Sequence, residues 1–159
     1  MARYAQSTSV SVEKSRAEIE STLTRYGATA FAYAWQGSRA SIQFEAKDRR
    51  IRFMLPLPDK TERRFTHAKH ARHYTEKPRT PEAALKEWEQ ACRQAWRALA
   101  LVIKAKLEAV AAEITSFEDE FLAQIVLPDG KTVADHAKPE IAIAYQRGEM
   151  RPMLPGPKG

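Results

Sequence analysis

The sequence predicts an α+β protein, an antiparallel β-α-β-β-β sheet packed against one long amphipathic helix and followed by short C-terminal helices. Three observations predict it. Between residues 28 and 57, apolar and polar side chains alternate with period two in neighbouring segments. From Pro81 to Val110 the apolar residues recur with helical spacing instead, a rod of roughly 45 Å at 1.5 Å rise per residue. Beyond that helix, cap and turn signals recur at short intervals.

Residues 1–58 read as the sheet unit. Thr8, Val10 and Val12 alternate with serines and predict a short first strand. Ser15-Arg16-Ala17-Glu18 reads as a capping box opening a helix whose inward positions are Ile19, Leu23 and Tyr26, with Gly27 where a left-handed cap is expected. Three strands follow, Ala28–Trp35, Ala40–Ala46 and Arg50–Leu57, joined by turns at Gly37-Ser38 and Lys47-Asp48. Phe31, Tyr33 and Trp35, then Ile42 and Phe44, then Ile51, Phe53 and Leu55 take one face. Alanines, Ser41, Gln43, Glu45, Arg50, Arg52 and Met54 take the other. Pro56 and Pro58 end the sheet, because proline cannot donate to a ladder.

Residues 59–79 form a basic connecting segment with no clear period. They hold seven Lys or Arg against three carboxylates, +4 of the chain's net +6, together with His67, His70 and His73. The helical part, residues 80–148, opens on Thr80-Pro81-Glu82, an N-cap followed by a proline preorganised for the first turn and an acid at the positive end of the dipole. Leu85, Trp88, Cys92, Ala95, Trp96, Leu99, Val102, Ile103 and Val110 share one broad face, and Lys86, Arg93, Arg97 and Lys104 form a stripe away from it. Thr115-Ser116-Phe117-Glu118 opens a short helix using Phe117, Phe121, Leu122 and Ile125. Pro128-Asp129-Gly130 is a turn, Thr132–Asp135 a further helix start, and Gly148 stops the last helix after Ile141–Tyr145. Residues 149–159 are an extended proline- and glycine-rich tail.

A chain of 159 residues is most economically one domain with a real core. No apolar run approaches the ~18 residues of a membrane span, and the polar N-terminus lacks a secretory signal, so a cytoplasmic protein is expected. One cysteine, Cys92, excludes an internal disulfide and a multi-thiolate metal site, and its place on the apolar face reads as a small buried hydrophobe.

No catalytic constellation stands out. Glu45-Ala46-Lys47 at a strand end has the Glu-x-Lys of metal-dependent nucleases but lacks the upstream aspartate that chemistry needs. The spaced histidines sit among cations that repel a metal ion, and Glu113, Glu118, Asp119 and Glu120 suit a helix N-terminus. Asp129-Gly130-Lys131 lacks the glycine-rich surroundings of a phosphate loop. Neither a metal nor a cofactor is expected.

The remaining candidate is electrostatic. Arg50 and Arg52 on the outer sheet face, the basic stretch from Lys60 to Arg79 with Phe65 and Tyr74 interleaved, and the stripe on the long helix supply the candidate phosphate-binding residues: Arg50, Arg52, Arg63, Arg64, Lys69, Arg72, Lys86, Arg93, Arg97 and Lys104. Together they would form a groove for a nucleic-acid backbone.

Two blocks carry a resemblance: Ala2-Arg3-Tyr4-Ala5-Gln6-Ser7-Thr8-Ser9-Val10-Ser11-Val12 with its following helix, and Trp88–Val110 running on to Phe121-Leu122 and Leu127-Pro128-Asp129-Gly130. They resemble small uncharacterised proteins encoded by tailed bacteriophages and prophages. The resemblance implies a context, the cytoplasm of a bacterial host, and no catalytic residue. The expected function is a phage accessory protein binding nucleic acid non-specifically through its basic surface. The alternative is a counter-defence protein, monomeric or oligomeric, that sequesters a nucleotide signal or blocks a host immune protein.

Overall fold

The computed structural model describes residues 5, 7–69 and 76–156. Its elements are α1 (Val12–Arg25), β1 (Ala30–Gln36), β2 (Arg39–Ala46), β3 (Arg49–Pro56), α2 (Arg63–Thr66), β4 (His67–Lys69), β5 (Glu76–Pro78), α3 (Pro81–Ala111), α4 (Phe117–Phe121) and α5 (Val133–Arg147). A 3-10 turn over Leu122–Gln124 follows α4. The chain is α+β, with the long helix, antiparallel sheet and short C-terminal helices that the periodicities predict.

The predicted strand over Thr8–Val12 does not form. Its polar backbone is satisfied without a ladder: Val10 N donates to Thr8 Oγ1 at 3.2 Å, and the Thr8 carbonyl accepts from Gln90 of α3 at 3.0 Å. Ser11 then caps α1, accepting from Lys14 N, so the helix starts a turn before the expected capping box and Ser15 lies buried inside it. The far end is as expected. Gly27 takes φ +88, Ala28 N donates to Leu23 O at 2.9 Å and Gly27 N to Thr24 O at 3.1 Å, the two bonds of a Schellman cap.

The main sheet is a three-stranded meander, β1-β2-β3. Tyr33 pairs with Ile42 and Ile42 with Phe53, so the apolar faces align as the alternation requires. Lys47 and Asp48 both take positive φ, +52 and +57, the type I′ turn that matches the twist of its flanking strands. Burial is uneven across the sheet. Ala40, Ile42, Phe44, Ile51 and Phe53 are buried, but Tyr33 and Trp35 of the edge strand β1 remain 47 % and 68 % exposed.

α1 and α3 pack on each other over the inner face, and Ile19, Leu23, Trp96, Leu99, Ala100, Ile103 and Leu107 join the strand residues in one core. Leu85 and Val102, expected on the buried face, are exposed. The buried stripe is centred on Trp96, Ile103 and Leu107, which leaves these two at its flank and end. Phe121 closes the core, with Phe44 and Phe53 edge-on at 5.9 and 6.2 Å between centroids. The cap of α4 is Ser116 rather than Thr115.

The basic segment does more than connect. It folds as the single turn α2 and the antiparallel pair β4–β5, anchored by buried Phe65. The Arg79 guanidinium donates to the carbonyls of Arg64, Phe65 and His67 at 2.8–3.0 Å. At the other sheet edge, Ile125 bridges Ile51 and Val126 N donates to Arg50 O at 2.8 Å, so the chain itself covers β3. Residues Thr132 and Asp135 form a reciprocal capping box for α5, which runs unbroken through Pro139 to Gly148 at φ +71. Arg151 reaches back to Glu140 at 3.5 Å. Among the described residues, no helix is long and apolar enough to cross a membrane.

Candidate phosphate-binding cleft

Of the ten candidate cations, the nine among the described residues do not converge on one groove. Because Ile51 and Phe53 face α3, Arg50 and Arg52 point from the opposite side of the sheet. Arg50 donates to Glu45 Oε1 across the hairpin at 3.0 and 3.1 Å, and Arg52 donates to the Gly130 carbonyl at 2.6 Å. They brace the hairpin and the 127–130 turn.

In the basic segment, Arg63 pairs with Glu76 and Arg64 with Glu62. Phe65 is buried and offers no ring to a base. Lys69 sits opposite Glu76 at the end of β4. Arg72, Tyr74, His70 and His73 lie outside the described residues, and His67 contacts Thr66 Oγ1 at 2.9 Å.

The helix stripe divides. Arg97 pairs with Glu18 of α1, and Arg93 donates twice to Gln90 Oε1, whose amide in turn holds the Thr8 carbonyl. Arg97 thus serves the α1–α3 contact, and Arg93 supports the docking of the Thr8 segment on α3. Lys86 and Lys104 stay exposed, with no ion pair or hydrogen bond among the described residues.

A different grouping does assemble. A cleft of about 330 Å³ opens between the start of α1 and the first half of α3, its lining including Arg16, Trp88, Cys92, Arg93 and Trp96 together with the carboxylates Glu13 and Glu89. The Arg16 guanidinium lies 4.4 Å from the Trp96 ring centroid and 4.6 Å from that of Tyr33, held between two aromatic faces. Its buried Nε finds no hydrogen-bond acceptor among the described residues. Trp88 is oriented by its Nε1, which donates to the Pro58 carbonyl at 2.8 Å, and Lys60 Nζ sits 4.3 Å from its ring centroid. Burial pushes the Cys92 thiol up, so the sulfur stays protonated as a small apolar lining group, as the helix pattern implied.

Sequence reasoning passed over Arg16, although it had a legible signal, because it stands at helical spacing from Val12, Ile19 and Leu23, an arginine on the apolar face of α1. Lys60 was legible only as the first cation of the basic stretch; its approach to Trp88 spans separate elements and had no signal. Among the described residues no group of three or more His, Cys, Asp or Glu stands where it could hold a metal ion. Comparisons with protein-family models, curated proteins and solved structures find no match to this chain.

Proposed function

We propose that this chain is a phage- or prophage-encoded accessory protein that binds nucleic acid through backbone phosphates in the cytoplasm of a bacterial host, with the α1–α3 cleft holding the strand. The observation that carries the reading is the meeting of Arg16, Lys60 and Arg93, from three separated stretches, around a ring-walled cleft. Among the described residues no acceptor takes the Arg16 Nε, and a phosphate oxygen is the acceptor a guanidinium suits best. Cleft volume is at the low end of ligand pockets, which run from about 300 to 1,000 Å³, and suits a single nucleotide unit of a flexible strand rather than a duplex.

Few phosphates are then neutralised, so binding is weak and its salt dependence shallow. With two or three contacts to a single strand, the slope of log K against log salt is about −2. Tryptophan fluorescence titration with oligothymidylate at roughly 50 to 200 mM salt tests this. Quenching with that slope, lost in Arg16→Met, is the expected result. Binding that ignores salt, or an Arg16→Met protein that binds undiminished, overturns it. The second reading, capture of a nucleotide signal in counter-defence, is favoured by the same small volume, and a mononucleotide binding more tightly than the oligonucleotide would select it.

A further inference from the structure

The two edges of the main sheet are treated differently. β3 is bridged at Ile51 by Ile125, with Val126 on the Arg50 carbonyl, and ends on Pro56, whereas among the described residues β1 carries none of the devices that protect an edge. It has no proline, glycine or charge, and every residue from Gly27 to Ser38 is uncharged.

The ladder parity says which groups the edge presents. Gln36 and Arg39 close a two-residue loop and so form a hydrogen-bonded pair, and the alternation assigns the backbone groups of Ala30, Ala32, Ala34 and Gln36 to β2. The N–H and C=O groups of Phe31, Tyr33 and Trp35 therefore point away from the sheet. The same parity appears at the closed edge, where the outward carbonyl of Arg50 is the one that Val126 takes.

We infer that β1 pairs antiparallel with β1 of a second copy of this chain, Tyr33 lying on the two-fold axis and Phe31 opposite the partner copy's Trp35. In that register each outward donor meets an outward acceptor, and the aromatic rows of both copies fall on one face of a continuous sheet. An arbitrary peptide strand would satisfy the backbone but not this ring-against-ring match. A second copy also brings no like charges together along the strand. At about 150–250 Å² per ring, the exposed fractions of Tyr33 and Trp35 with Phe31 and the strand backbone bury on the order of 800–1,000 Å² in total, below the ~1,200 Å² of stable interfaces and in the range of weak, transient ones. The dimer is therefore a weak, reversible one. It meets the cleft at one residue, Tyr33, on whose ring Arg16 rests.

Sedimentation equilibrium of the full chain across the micromolar range tests the pairing. The mass is expected to rise from 18.0 kDa towards twice that value. Trp35→Lys and Tyr33→Lys should each return it to that of one chain with circular dichroism unchanged, while Tyr33→Phe leaves it double. Trp35 is the more exposed and stands apart from Arg16, so its variant decides the matter if Tyr33→Lys fails to fold. A wild-type protein that stays at 18.0 kDa throughout, or a dimer that Trp35→Lys leaves intact, overturns the inference.

Discussion

Replacing Phe121 by alanine is expected to cost about 4 kcal/mol of folding stability, within the 3–5 kcal/mol range of buried phenylalanine truncations. The ring has no exposed surface and touches three others, edge-on to Phe44 and Phe53 and tilted at 4.7 Å from Phe117. The site has little freedom to collapse around the loss. Lys106 ties α4 to α3 through the Glu120 carboxylate and carbonyl, both at 2.9 Å, and the bond from Val126 to Arg50 ties the following turn to β3. That places the cost in the middle of the range or above, a large fraction of the 5–15 kcal/mol of a whole domain. In urea, with a slope of about 2 kcal/mol per molar, the midpoint falls by about 2 M. Phe121→Leu keeps most of the apolar volume and loses the ring–ring geometry, for about 1–2 kcal/mol. An alanine variant no less stable than the leucine variant would refute the argument, because the ring would then not be closing the core.

Arg97 and Glu18, with side chains 24 % and 35 % exposed, should act as a structural pair. Arg97→Met is expected to lower stability by about 1–2 kcal/mol, between the exposed and the buried limits, with most of the loss recovered as coupling in a double-mutant cycle with Glu18→Gln. Its salt slope for oligothymidylate stays at the wild-type value, and a slope flatter by a whole phosphate would return Arg97 to the binding surface. The α5 capping box predicts an acid-side effect. Hydrogen bonds from Thr132 hold the Asp135 carboxyl below its ordinary value, so this contribution is complete above the unfolded pKa near ~3.9 and is lost as pH falls through the lower folded value. Thermal unfolding of Asp135→Asn should therefore show a shallower acid limb than wild type, and limbs of equal slope would sink the idea. Thr132→Ala removes the other half of the box, for about 1 kcal/mol.

The features legible in the sequence were those whose physics is local. Thr80-Pro81, the Gly27 and Gly148 caps, the turns at Gly37 and Lys47-Asp48, and the alternation of Ile42, Phe44, Ile51 and Phe53 each depend on residues a few positions apart, and each stands where its pattern put it. The first strand was misread because alternation over Thr8–Val12 indicates a strand only where a neighbouring strand can pair, and here Gln90 and Ser11 satisfy or redirect the backbone. Charge was the least legible property. A free cation and a paired one look alike in one dimension, and the partners lie far off in the chain: Glu18 for Arg97, Gly130 for Arg52, Glu118 for Arg49. Composition alone determined how much positive charge the molecule carries. Only the tertiary packing decided which of it remains available, because burial makes an unpaired guanidinium costly: Arg97 goes to an ion pair with Glu18, Arg93 gives Nε and Nη2 to the Gln90 amide, and Arg16 rests on the rings of Trp96 and Tyr33.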